Sequence, residues 1–151
     1  MSSSETSKYI VTELKMTDPD PEVEARYSAY AKRVLRIDDG LVDGAFHMET
    51  AWYLHAAPAG IQDKPHVHDS DEIIACFGSD PSDPYELGGE VELWLDGERH
   101  LIDRSAMVFV PAGMKHCPLN ITRLDRPIFH LIAVASGRFG VTADYLNHCE
   151  E

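Results

Sequence analysis

The chain has 151 residues, of which 26 are acidic and 13 basic, for a formal net charge of −13. That balance repels phosphate backbones and anionic lipid, so neither nucleic acid nor membrane is an expected partner. A chain of this length makes one domain and buries roughly 68–70% of its unfolded surface, enough for a core of its own.

Residues 1–7 are rich in Ser, Thr and Glu and read as an unstructured tail. Lys8 to Leu14 alternates as a short strand would. Asp20 is placed to cap a helix, with Pro21 at the first helical position. Val23, Tyr27, Tyr30 and Val34 then recur at helical spacing, which predicts a helix to about Leu35. Residues 1–39 are thus expected as a tail and helical arm, and residues 40–151 as a β-rich domain. Ala51 to Ala56 reads as a strand with Tyr53 and His55 on one face and Trp52 and Leu54 on the other. Glu72 to Phe77 reads as a buried strand ended by Gly78. Ser79 to Gly89, with two prolines and a Gly pair, reads as a long polar loop of the kind that often serves binding. Glu90–Leu95 and Arg99–Ile102 flank Asp96-Gly97, a strong hairpin signal. Ser105–Val110, Lys115–Ile121 and Pro127–Ala135 complete the strands, and a tail follows from Ser136. Many short strands after one helix predict a mainly β fold, an antiparallel barrel or jelly roll.

The chemistry-bearing residues cluster between Gly60 and Asn120. His66 and His68 are two apart on an extended segment, so both rings face one side. Asp69-Ser70-Asp71 is a turn signal, and a reversal there sets Glu72 beside the two histidines. His116 follows the break at Pro111-Ala112-Gly113. Three imidazoles and one carboxylate suit one divalent ion, with iron, manganese, nickel, cobalt and zinc all compatible.

These residues resemble the cupin family of small jelly-roll barrels. The first cupin motif is a Gly, five residues, His-x-His, three or four residues, Glu, six residues and Gly. Here Gly60, His66-Val67-His68, Glu72 and Gly78 match it, with one residue fewer before Gly78. The second is a Gly, five residues, Pro-x-Gly, two residues, His, three residues and Asn. Pro111-Ala112-Gly113, His116 and Asn120 match it, with Ser105 in place of the leading Gly. The resemblance implies a conserved jelly-roll β-barrel and a metal-binding site at His66, His68, Glu72 and His116. It also implies a homodimer, because such barrels often pair or exchange N-terminal strands.

If the ion is six-coordinate, two positions stay open to a small-molecule ligand or substrate. Iron(II) is the favoured cofactor, as in dioxygenases, an oxidoreductase class. Manganese, nickel or zinc suits a non-redox isomerase, cyclase or lyase. Zinc, which prefers four ligands, is nearly saturated by this set. A binding or sensing protein without turnover is the third reading. His55, His130 and Tyr53 are the catalytic candidates, as proton carriers facing the cavity, with packing as the alternative role of the two histidines. Cys117 follows a ligand, so strand alternation turns it away from the metal. Cys76 shares the face of Glu72 and reads as a small hydrophobe. Three unpaired cysteines and a polar start at Met1 to Lys8 fit a reduced, cytoplasmic setting without a signal peptide.

Overall fold

The structure is a computed structural model that describes residues 5–16, 20–58 and 64–136. Gly60 and the tail after Ser136 lie outside the described residues. A short 3-10 helix spans Glu5–Tyr9, where tail and strand were expected, and residues 10–16 form no strand. One α-helix, α1 (Pro21–Ser28), opens as the sequence predicts. Asp20 has extended backbone, and its carboxylate accepts from the Glu22 amide at 2.9 Å.

The helix stops at Ser28, not near Leu35, because sheet pairing overrides the helical spacing. Ala31–Ile37 is strand β1, antiparallel to β2 (His47–Tyr53) with Ala31 opposite Tyr53. Tyr30 is the pivot: it is buried, and its carbonyl accepts the amides of Leu54 at 2.8 Å and His55 at 3.2 Å. Val34, placed on the helix by spacing, sits exposed on the outer side of β1.

The remaining strands are β3 (Glu72–Phe77), β4 (Glu86–Leu95), β5 (Glu98–Arg104), β6 (Ala106–Val110), β7 (His116–Leu124) and β8 (Ile128–Val134). They form two antiparallel sheets, ordered β1-β2-β8-β3-β6 and β5-β4-β7, in a jelly-roll arrangement. The core lies between them and includes Tyr53, Ile74, Leu87, Val91, Leu93, Val110, Ile121 and Ile128. β1 is the outer strand of the larger sheet, so the sheet begins before residue 40.

The connection after β3 covers only residues 78–85, because Glu86 to Gly89 already belong to β4. Gly78 has no room for a side chain, since a Cβ there would lie 1.8 Å from the Glu86 carbonyl oxygen. Ser105, the residue that departs from the second motif, binds this same corner. Its hydroxyl accepts the Gly78 amide at 3.0 Å and donates to the Pro84 carbonyl at 2.7 Å. The two departures from the motifs therefore meet at one junction, away from the histidines. Among the described residues no helix is long and apolar enough to cross a membrane.

Candidate metal centre

Backbone pairing sets the histidines. The His66 amide donates to the His116 carbonyl and the His116 amide to the His66 carbonyl, both at 3.0 Å. Ala57 and Ile121 exchange a second such pair, so Ala57 and His66 both sit beside β7. His68 is tied to the Pro-x-Gly turn, because its carbonyl accepts the Gly113 amide at 2.9 Å. Gly113 has a φ of +85°, a conformation that favours glycine. Asp71 holds the other side of this turn by accepting the Ala112 amide at 2.8 Å.

The side chains converge. The ring centroids of His66, His68 and His116 lie 4.4 to 4.9 Å apart. Oε2 of Glu72 is 2.9 Å from Nε2 of His116 and 3.3 Å from Nε2 of His68. His68, Glu72 and His116 each bring a ligand atom within 4.8 Å of the others, and so do His66, His116 and Cys117. All five residues are buried. The four side chains named from the motifs thus occupy one place, and a fifth, Cys117, joins them.

Hydrogen bonds fix which ring nitrogens face inward. Nδ1 of His66 donates to the Lys64 carbonyl at 2.6 Å, and Nδ1 of His116 to the Met114 carbonyl at 3.0 Å. A carbonyl can only accept, so both Nδ1 atoms carry protons. This outer bond to a carbonyl is the one that orients metal-binding imidazoles. Burial pushes the His66 imidazole down to about 4, with the neighbouring His116 and His68 adding to the fall, so it is neutral near pH 7. Glu72 moves the other way from its environment: burial alone would raise it, but hydrogen bonds from His116 and His68 bring it to about 2. His116 has an oxygen acceptor at each nitrogen, so a cation, proton or metal, belongs between its Nε2 and Glu72. A divalent ion fits this donor set: the buried His/Glu/Cys group could hold one.

The catalytic candidates separate. Tyr53 is 1% exposed and lines a cavity of about 600 Å³ that also reaches His66, Glu72, Cys117 and His130. Burial raises its phenol well above the ordinary value. His130 stacks on Tyr53 with ring centroids 4.7 Å apart, and its Nδ1 lies 3.2 Å from the Ala75 carbonyl. Burial lowers it to about 4. His55 is a correction. β2 ends at Tyr53, so the alternation that put His55 beside Tyr53 stops, and His55 is exposed and not among the cavity residues. Cys76 packs in the core with Sγ 3.7 Å from Nδ1 of His130, and burial pushes its thiol up to about 12, so it stays an inert thiol. Asn120 of the second motif is buried and donates to Glu92 at 3.0 Å.

Cys117 is the second correction. Leu93 faces Leu119 and Leu95 faces His116, so Cys117 and Pro118 stand opposite Trp94 alone. This two-against-one bulge, with Cys117 at φ +75°, cancels the alternation and leaves His116 and Cys117 both buried. The signal available in the sequence was Pro118, which has no N–H to give to a ladder.

No protein-family model and no curated protein matches the sequence. Solved structures do. A recombinant oxalate oxidase in complex with glycolate aligns over 87% of this chain and 61% of its own, at 13% identity and a TM-score of 0.52. The fold is that of a cupin. An RmlC-like cupin from Shewanella frigidimarina aligns over 70% of this chain and 75% of its own, with 12% identity and a TM-score of 0.43. The Schizosaccharomyces pombe Cnp3 cupin domain aligns over 70% and 61%, with 11% identity and a TM-score of 0.46.

Proposed function

We propose that this cupin is a metal-dependent enzyme acting on a small organic anion, an iron(II) dioxygenase in the first instance. The observation that carries the reading is one buried cluster of neutral His66 with His68, Glu72 and His116, of which His66 and Glu72 border a cavity of about 600 Å³. His66, His68, His116 and Glu72 would hold the ion. When bound, it supplies Lewis acidity and, as iron(II), the one-electron chemistry that dioxygen requires.

The chain's own residues account for the rest. Tyr27, Tyr30, Ile74, Leu119 and Ile132 give the cavity an apolar side against which a flat or unsaturated ligand can pack. Arg26 and Lys64 also line it, and both are exposed, so they can meet an anionic group as it enters. Arg33 is already committed, bonding Glu24 at 2.7 Å and stacking on Tyr27. Glycolate in the oxalate oxidase structure is likewise a small carboxylate.

A second reading, a non-redox isomerase, cyclase or lyase, rests on Tyr53 and His130. A neutral imidazole stacked on a neutral phenol in the same cavity is a base and an acid in waiting. Oxygen uptake separates the two. Iron-loaded protein offered aromatic and enolisable carboxylates is expected to consume oxygen with at least one of them. Turnover without oxygen uptake, lost in His130→Gln protein that keeps its metal, would establish the second reading.

A further inference from the structure

We infer that Cys117 is a ligand to the ion, so that the centre is a mixed nitrogen, oxygen and sulfur site. The inference rests on the metal reading above and adds to its ligand set a residue at a position the second motif leaves unspecified.

Three observations lead to it. The first is aim: the bulge at Cys117-Pro118 opposite Trp94 turns the side chain that follows His116 inward instead of out. Bulges commonly re-aim a side chain beside an active site. The second is distance: Sγ of Cys117 and ring nitrogens of His66 and His116 lie within 4.8 Å of one another. One ion can touch all three after small side-chain rotations, since zinc–sulfur and zinc–nitrogen bonds are roughly 2.3 and 2.0–2.1 Å long. The third is side: His66, Glu72 and Cys117 all border the cavity, so the sulfur lies on the face where an incoming molecule meets the ion.

A left-handed backbone at a non-glycine residue costs free energy and is held only where the surroundings demand it. Coordination gives the inward turn a consequence. As the sulfur–metal bond forms, the S–H bond breaks and its proton passes to water. A soft sulfur donor then biases the site toward iron, cobalt or zinc and away from manganese and magnesium.

Cobalt(II) reports thiolate ligation directly. Wild-type protein loaded with one equivalent of cobalt(II) is expected to show an intense near-ultraviolet sulfur-to-cobalt band. Cys117→Ser protein is expected to bind cobalt(II) and lack the band. Cobalt bound without the band, or a band that survives the substitution, overturns the inference and leaves the metal site standing. No cobalt bound by wild-type protein overturns the metal reading as well. If Cys117→Ser protein does not fold, cadmium-113 resonance on wild-type protein decides the matter. A sulfur ligand moves the signal far downfield, and a position typical of nitrogen and oxygen ligands alone refutes the assignment.

Discussion

Nε2 of His116 lies 2.9 Å from Oε2 of Glu72, while Nδ1 of the same ring donates to the Met114 carbonyl at 3.0 Å. The imidazole is therefore clamped between two acceptors, and the carboxylate is clamped in turn by His68 at 3.3 Å. Such an arrangement has a place for a cation between ring and carboxylate. Glu72→Gln removes the charge while keeping the shape. Metal affinity is expected to fall beyond the roughly 10–100-fold that follows loss of an outer-sphere partner. Competition against a chelator measures it, and unchanged affinity would mean that Glu72 is no ligand.

The metal-free protein is expected to weaken in mild acid. His66 and His130 both sit at about 4 when folded, below the 6.5 of a free imidazole. The unfolded chain binds their protons first, so their contribution is complete above pH 6.5 and is lost as the pH falls toward 4. Each accounts for on the order of 3 kcal/mol at most. Glu72 acts in a lower window: its contribution is complete above 4.5 and disappears as the pH falls through about 2. Thermal melts of chelator-treated protein from pH 7.5 to 4.5 test this. A flat midpoint across that range contradicts it, and His130→Gln should remove part of the slope.

Gly113→Ala isolates one backbone angle. A Cβ there meets nothing within 4 Å, so only the φ of +85° opposes it. The left-handed conformation costs about 1–2 kcal/mol for a residue with a Cβ. For a chain of this length that is about 2–8 °C in the melting midpoint. Metal affinity should fall too, because the Gly113 amide holds the His68 carbonyl. A midpoint unchanged within error would show that the turn adapts freely.

The homodimer implied by the cupin resemblance has a surface to use. Phe46, Met107 and Phe109 are 73%, 67% and 57% exposed, and Met107 and Phe109 lie on β6, an edge strand of the larger sheet. Apolar side chains on an unpaired edge favour association. Light scattering is expected to give twice the mass of one chain, and Phe109→Asp should return it to one. A monomeric wild-type protein removes the proposal.

Much of the centre was legible because it rests on strand period and on turn chemistry. The i, i+2 pair at His66 and His68, the reversal at Asp69 to Asp71 and the break before His116 each have a local cause. What was not legible has non-local causes. Tyr27 and Tyr30 keep helical spacing, yet pairing of β1 with β2 turns the chain at Tyr30. Cys117 follows His116, yet the mismatch of β7 against β4 brings it back inside. His55 lost its place because β2 ends at Tyr53. In each case the deciding partner lies on another strand, where periodicity along one segment carries no information.

The central claim is that these buried side chains hold one divalent ion. Metal content by plasma mass spectrometry, on untagged protein purified without oxygen, tests it most directly when His116→Ala protein is measured beside it. The account predicts close to one transition-metal ion per chain, iron foremost, and a fall to background in the variant, since His116 belongs to both ligand groups. Background metal in both proteins, after every effort to load them, would contradict it.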